Sequence, residues 1–392
     1  MSPPAAASKA MFKFGSLAFT RDAAPLLGVT LAGCTYGIYV MFTCVHAVED
    51  HGSNECYEGD SILGDWNTGD SEKDTIFSYI GIAVVAYYAS LIVTFAYDVF
   101  VRPGVKLSKF GAGQGFWAIV TGCTDGLGRE TALELARKGF NILLVSRSQD
   151  KLDLMATEVR ALGVEARVLA VDFAKVSVEQ WAEIQRQVDD VRVGVLVNNV
   201  GVSYDYPMFL EEVSEETVDA LVDINMRAMV KMTRTVLPQM KERKSGLILN
   251  NGSFAALLPS PFLSVYSGSK GFVKYFSQSV ASEVAKDGII VEHLQTYFVC
   301  SKMSKTKKPN FFIPLPKPYI KTVLNKIGVQ GGSSEPYTSV PFFSHALMAF
   351  LAERFVPKQA AIDYNFNLLN GLRKRALKKI QREQEADKTK TA

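Results

Sequence analysis

Apolar and polar positions follow two different patterns along the chain, and the change falls near residue 113. Before it stand two long runs without a formal charge, 23–48 (26 residues) and 75–97 (23 residues), separated by an acidic stretch. Each is long enough to cross a bilayer, where a helix needs about 20 apolar residues because its backbone must satisfy its own hydrogen bonds. Beyond residue 113, short apolar runs alternate with amphipathic segments of helical period. Runs at 116–121, 142–145, 166–171, 193–198, 246–251 and 289–294 read as strands, and a last strand is expected near 360–364. That alternation predicts an α/β unit, a doubly wound parallel sheet with helices on both faces. The run 342–355 is too short and, with Glu353 and Arg354, too charged to span a membrane, and it predicts a core helix.

Charge gives the two apolar runs an orientation. The overall balance is only +3, but residues 49–74 hold nine carboxylates against one ammonium, Lys73. Lys9, Lys13 and Arg21 precede the first run, and Arg102, Lys106 and Lys109 follow the second. Positive residues stay on the cytosolic side, so both ends of the chain are expected there, with the acidic loop on the far side of the membrane. A signal peptide is the other reading of the first run, although the run exceeds the usual apolar core of such a segment. A buried core helix is the other reading of either run. The expected organisation is a cytosolic segment 1–22, a transmembrane helix 23–48, a luminal acidic loop 49–74, a second transmembrane helix 75–97, a linker 98–112, a nucleotide-binding domain 113–365 and a basic tail 366–392.

Composition narrows the class further. Of the 392 residues 48% are hydrophobic and 21% charged, which excludes a disordered or collagen-like chain. The five cysteines, Cys34, Cys44, Cys56, Cys123 and Cys300, form no CxxC pair and lie near no histidine cluster, so neither a disulfide framework nor a metal site is expected.

The first strand of the domain runs into Thr121, Gly122, Cys123, Thr124, Asp125, Gly126, Leu127 and Gly128, followed by a helical segment. Glycines let backbone amides approach a pyrophosphate, and the helix N-terminus adds partial positive charge. This marks a Rossmann-like dinucleotide cradle. At the end of the second strand, where an acid would contact the ribose hydroxyls of NAD, stand Ser146 and Arg147. The missing acid makes room for a 2′-phosphate and Arg147 offers it a charged partner, which favours NADP(H). A plain surface arginine is the other reading. Ser253, Tyr266 and Lys270 form a second pattern, the last two one helical turn apart. A phenol of pKa about 10 exchanges protons poorly at neutral pH, and a nearby ammonium stabilises the phenolate. Ser253 can then polarise a carbonyl oxygen while Tyr266 protonates it.

At these residues the chain resembles the short-chain dehydrogenase/reductase family, over roughly 113–365. The family's glycine motif matches Gly122, Gly126 and Gly128, its NNAG motif reads Asn198, Asn199, Val200, Gly201, and its catalytic tetrad matches Asn225, Ser253, Tyr266 and Lys270. Val200 departs from the small residue of that motif and would crowd the cofactor ribose. The resemblance implies that Asn225 positions a water for proton relay near Lys270, and that Asp172 contacts the adenine. It also places Thr121, Thr124, Asp125, Leu127, Ser146, Arg147, Asn199, Gly201, Val299 and Ser301 around NADPH, with Ser301 at its amide.

The two apolar runs, the segment after the sixth strand and the lysine-rich tail are together similar to the membrane-bound very-long-chain 3-oxoacyl-CoA reductase group, whose near relatives are 17-beta-hydroxysteroid dehydrogenases. That likeness implies NADPH-dependent reduction of a long-chain 3-oxoacyl-CoA in microsomal fatty-acid elongation. Its partners would be membrane lipid, the other elongation enzymes and, through the helices bearing Asn225 and Tyr266, a second copy in a homodimer. A hydroxysteroid or retinoid dehydrogenase stands as the alternative, and a non-catalytic membrane scaffold as the lesser one. No feature suggests nucleic acid. Residues 302–318, with Lys302, Lys305, Lys307 and Lys308 before Phe311, Phe312 and Ile313, read as a cap whose lysines meet CoA phosphates and whose apolar edge guides an acyl chain, or else as a solvated loop or a membrane-surface contact. Arg373, Lys374, Arg375, Lys378, Lys379 and Arg382 suit an anionic lipid surface or a solvated helix. Lys388 and Lys390 near the end of the sequence resemble a retrieval signal of the endoplasmic reticulum, the expected location.

Overall fold

A computed structural model describes residues 71–306 and 308–391. The expected first span at 23–48, the acidic loop as far as residue 70, and Lys307 lie outside the described residues, as do the side chains at 388–391. Two compact units divide the chain, Met1–Tyr88 and Ala89–Ala392. The described part of the first unit is one end of helix α1 (Ser71–Ala96), whose apolar residues from Thr75 permit a helix to lie in lipid. Among the described residues one helical stretch, Thr75–Val101, is long and apolar enough to cross a membrane.

The second unit is built on a seven-stranded parallel sheet. Its strands are β1 (Trp117–Thr121), β2 (Asn141–Ser146), β3 (Ala166–Ala170), β4 (Val193–Asn198), β5 (Gly246–Asn251), β6 (Ile289–Leu294) and β7 (Thr338–Ser339), in the spatial order β3-β2-β1-β4-β5-β6-β7. Intervening helices are α2 (Gly126–Arg137), α3 (Gln149–Arg160), α4 (Val178–Asp189), α5 (Glu215–Val222), α6 (Ala228–Glu242), α7 (Ser264–Val284) and α8 (Pro316–Asn325), followed by α9 (Phe343–Phe355) and α10 (Lys358–Thr391). Helices on both faces bury both sides of each central strand, which is why those strands are continuously apolar in sequence. Along β1, Ala118 and Val120 join the layer formed with α2, α3 and α8, while Trp117 and Ile119 join the layer formed with α4, α6 and α7.

Strands one to six coincide with the expected runs to within one residue at each end. The seventh does not. Residues 360–364 lie inside α10, and the last strand is the two-residue β7, whose Thr338 and Ser339 pair with His293 and Leu294. The reason is periodicity: Ala361 and Leu369 are buried with partly buried residues between them at helical spacing, so this stretch packs one face of a helix. Residues 343–355 form the expected core helix, with Ala346, Ala349 and Phe350 packed inward.

Strand order reverses between β1 and β4. The chain leaves β1 toward β2 and β3, then returns to β4 on the other side. In open parallel sheets the crevice at that reversal, beyond the carboxyl ends of the strands, is where ligands bind.

Candidate active site

The glycine loop leaves β1 at Thr121 and enters α2 at Gly126, with Asp125 as N-cap, its Oδ1 accepting from Gly126 N at 2.8 Å. Gly122 has φ +64°, and a methyl group there would lie 2.9 Å from Val200 Cα. One on Gly128 would lie 2.2 Å from the Gly122 carbonyl oxygen and 2.3 Å from Asn199 Nδ2. Only glycine allows this close approach of the helix start to the strand ends. Two side chains pin the loop to the end of β4. Thr121 Oγ1 accepts from the amides of Asn199 (3.0 Å) and Val200 (3.1 Å), and Asn199 Nδ2 donates to the carbonyls of Thr121 (2.9 Å) and Gly122 (3.0 Å). Thr121 and Asn199 therefore shape the cradle through bonds inside the protein.

Thr124 Oγ1 lies 3.2 Å from Ser146 Oγ, which joins the loop to the end of β2. Arg147, the next residue, is exposed and makes no ion pair among the described residues. Asp172, beyond the end of β3, is exposed and accepts from Ala174 N at 3.1 Å. On the other flank, a methyl group on Gly126 would lie 3.4 Å from Ser301 Cβ, so Ser301 faces the loop, while Val299 is buried behind it. Leu127 packs against the core and its carbonyl accepts from Thr131. Amides at a helix start, glycines that bring that start against the strand ends and the exposed Arg147 at the end of β2 fit a phosphorylated dinucleotide.

Asn225, Ser253, Tyr266 and Lys270 come from three elements. Ser253 follows β5 and caps a short turn by accepting from Ala255 N at 3.1 Å. Tyr266 and Lys270 lie on α7. Burial raises the Tyr266 phenol above its ordinary range, and a hydrogen bond with Ser253 partly offsets that shift. Lys270 is buried, and loss of solvation lowers its ammonium to about 8. Its Nζ donates to the Asn251 carbonyl at 2.9 Å and lies 5.9 Å from the centroid of the Tyr266 ring. Asn225 sits in a π-helical turn, Asp223–Arg227, between α5 and α6. Its Nδ2 donates to Val202 O and Ser269 Oγ, both at 3.0 Å, and its Oδ1 accepts from Val202 N at 2.8 Å. A methyl group on Gly201 would lie 3.3 Å from Asn225 Oδ1 and 3.8 Å from Lys270 Nζ, so Gly201 keeps that space open.

Further contributors are residues to which the sequence assigned no role of their own. Asn251 Nδ2 donates to Asn199 Oδ1 at 2.9 Å, its Oδ1 accepts from Thr296 at 3.1 Å, and its carbonyl holds Lys270. One residue thus ties Asn199, which pins the glycine loop, to Lys270. Asn198 Nδ2 donates to Asn250 Oδ1 at 2.8 Å across paired strands. The available signal was the recurrence of Asn-Asn at two strand ends, where asparagine is a poor strand former. Buried His293 lies against Gly252, where a methyl group would approach its Nε2 to 1.9 Å. Burial, with Lys270 and Lys274 nearby, lowers His293 to about 3 and keeps it neutral.

Lys302 pairs with Asp125 at 3.1 Å, over the glycine loop, and Lys305 Nζ donates to the Asp205 carbonyl at 2.5 Å. In the tail, Arg373 is paired with Glu212 at 2.5 Å and packed on Phe209, whereas Lys374, Arg375, Lys378, Lys379 and Arg382 are exposed.

A family model described as short chain dehydrogenase matches residues 116–310. A protein of Laccaria bicolor named very-long-chain 3-oxoacyl-CoA reductase is 43% identical over 312 residues, 79% of this chain and 91% of that one. One of the same name from Coprinopsis cinerea is 43% identical over 291 residues, 73% and 86% of the two chains. Among solved structures, a putative NAD(P)-dependent gluconate 5-dehydrogenase from Beutenbergia cavernae with bound NADP superposes with TM-score 0.52 at 24% identity, covering 60% of this chain and 97% of that one, a likeness of fold. With the glycine loop, the strand reversal, and Ser253 after β5 hydrogen-bonded to Tyr266 one turn from Lys270 on α7, the chain belongs to the short-chain dehydrogenase family.

Proposed function

We propose that the protein is an NADPH-dependent reductase of long-chain 3-oxoacyl-CoA, producing the 3-hydroxyacyl-CoA during fatty-acid elongation at the endoplasmic reticulum membrane. The observation that carries the substrate is likeness over most of the chain to relatives named for that reaction. The amides of Gly126 and Leu127 and the side chains of Thr124, Ser146, Arg147, Asp172 and Ser301 would hold the cofactor. NADPH, when bound, supplies the hydride.

Every other role belongs to side chains already described. Ser253 donates a hydrogen bond to the substrate's 3-oxo oxygen and draws electron density toward it. Tyr266 delivers a proton to the same oxygen as negative charge develops there. Lys270, charged below about pH 8, offsets the phenolate that Tyr266 becomes. Burial keeps water from diluting these interactions. Asn225 holds Val202 and Ser269, which fixes the start of α7 behind Tyr266.

The helix Thr75–Val101 supports membrane attachment, and Arg102, Lys106 and Lys109 after it support a cytosolic reductase unit. The full reading adds a first span at 23–48 with the acidic loop in the lumen, and protease access to that loop from the cytosolic face of sealed microsomes would refute it. The test of function is NADPH oxidation by the solubilised full chain with a long-chain 3-oxoacyl-CoA and, separately, a 17-ketosteroid. Turnover with the acyl-CoA that is lost in Tyr266→Phe supports the proposal. Turnover with the ketosteroid alone overturns it in favour of a hydroxysteroid dehydrogenase.

A further inference from the structure

The segment after β6 ends in a turn that presents one ring outward and holds it there. Asn310 and Ile313 form an antiparallel bridge, and Asn310 Oδ1 accepts from the amides of Phe312 and Ile313, both at 2.9 Å. Buried His345, as donor through Nε2, secures the Phe312 carbonyl at 3.0 Å. Phe312 is thereby turned partly inward, and Phe311 at the tip is left 59% exposed. The Phe311 ring packs edge-on against Phe343 at 6.0 Å, and Phe343 lies 5.1 Å from Phe100, which is itself 64% exposed. Phe100 and Val101 are the last residues of the apolar helix Thr75–Val101.

Large rings fixed in place and exposed together mark an interaction surface, because water gains nothing from them and the turn gives up freedom to hold them. Continuity with the end of the apolar helix identifies the partner as lipid. Charges on the same segments agree: Lys106, Lys308 and Lys317 are exposed and suited to anionic headgroups, while Arg102 is paired with Asp98 at 3.2 Å. From this edge a rank of rings leads inward. His345, which holds the Phe312 carbonyl, lies 5.7 Å from Tyr297, and Tyr297 lies 5.1 Å from Phe254, the neighbour of Ser253.

We propose that Phe100, Phe311 and Phe343 form a lipid-facing edge of the reductase unit, seated in the bilayer interface, and that a long acyl chain reaches Ser253 sideways from the membrane along the half-buried rings of Tyr297 and Phe254, which buried His345 backs. This rests on the reading of Thr75–Val101 as a membrane span and of a long-chain acyl-CoA as substrate.

The test places the full chain in nanodiscs of acyl-brominated phospholipid and reads tryptophan fluorescence added by single substitutions. Ile82→Trp, in the middle of the apolar helix, reports the span, and Phe311→Trp reports the edge. Quenching of both is the expected result. Quenching of Ile82→Trp without Phe311→Trp overturns the edge and leaves the span intact, whereas quenching of neither removes the span and the edge with it. Kinetics in the same nanodiscs give the second readout. Phe311→Asp should lower the ratio of kcat/KM for a long-chain over a short, water-soluble 3-oxoacyl-CoA by about tenfold. An equal fall for both substrates would assign Phe311 to folding and overturn the route. Turnover of neither substrate by the unaltered chain would instead overturn the acyl-CoA reading, with the quenching result standing apart from it.

Discussion

Lys270 on α7 donates to the backbone carbonyl of Asn251, the last residue of β5, at 2.9 Å. The bond crosses from helix to sheet and ends on a residue whose side chain also grips Asn199, which in turn pins the glycine loop to the end of β4. Lys270 and the glycine loop therefore share one support, and their relative position is set by the sheet.

The first consequence concerns pH. Burial lowers Lys270 to about 8, so its ammonium is present below that value and is lost as pH rises through it. Reduction needs the ammonium beside Tyr266, and the rate should fall through about pH 8 on the alkaline side. Lys270→Met should remove this limb with a loss of about 10² or more in kcat. A profile of Lys270→Met that keeps the same alkaline limb would assign it to another group.

The glycine loop predicts a binding defect. A methyl group on Gly128 would collide with the Gly122 carbonyl and with Asn199 Nδ2 at 2.2 and 2.3 Å. Gly128→Ala should displace the loop from β4 and lower NADPH affinity sharply, as read by nucleotide fluorescence titration. Unchanged affinity would show that the loop can shift without harm.

Arg147 predicts cofactor choice. It is exposed and free of ion pairs among the described residues, so its charge is available to a 2′-phosphate. A hydrogen bond to a charged group contributes about 1.5–3 kcal/mol, hence Arg147→Ala should raise the dissociation constant for NADPH about 10- to 100-fold. The constant for NADH should hardly move. Equal weakening of both would place Arg147 elsewhere in the site.

Glu292 offers a test of stability. It lies buried on β6, accepts from Gly328 N through one oxygen, and leaves the other without a partner among the described residues. Burial raises its carboxyl from 4.5 to about 7. Between those values the folded chain holds a proton that the unfolded chain has released, so stability is fully present at low pH and falls as pH rises through about 7. Glu292→Gln should flatten this slope and raise the melting temperature at pH 8, measured in detergent. A steeper slope in the variant would mean that the carboxylate is stabilised in the fold.

The strand runs, the glycine loop and the Ser253, Tyr266, Lys270 spacing were legible because each is a local requirement. A strand buried on both faces must be apolar throughout, a tight approach to a strand end must use glycine, and two groups on one helix face must be four residues apart. Less local matters were not legible. Residues 360–364 carry enough apolar residues for a strand, and only packing of Ala361 and Leu369 against the unit shows a helix. The cap lysines looked alike in sequence, yet Lys302 is held by Asp125 and Lys305 by the Asp205 carbonyl.

By itself the sequence determined the parallel α/β unit, the position of its glycine loop, the one-turn spacing of Tyr266 and Lys270, and an apolar helix ahead of them. Tertiary structure alone decided that Asn251 joins the glycine loop's anchor to Lys270, that burial lowers Lys270 to about 8, and that Phe343 links Phe311 to Phe100 at the end of that helix. The division has one physical cause. Periodicity and backbone conformation act over a few neighbouring residues, whereas desolvation and side-chain contact depend on segments that only the folded sheet brings together.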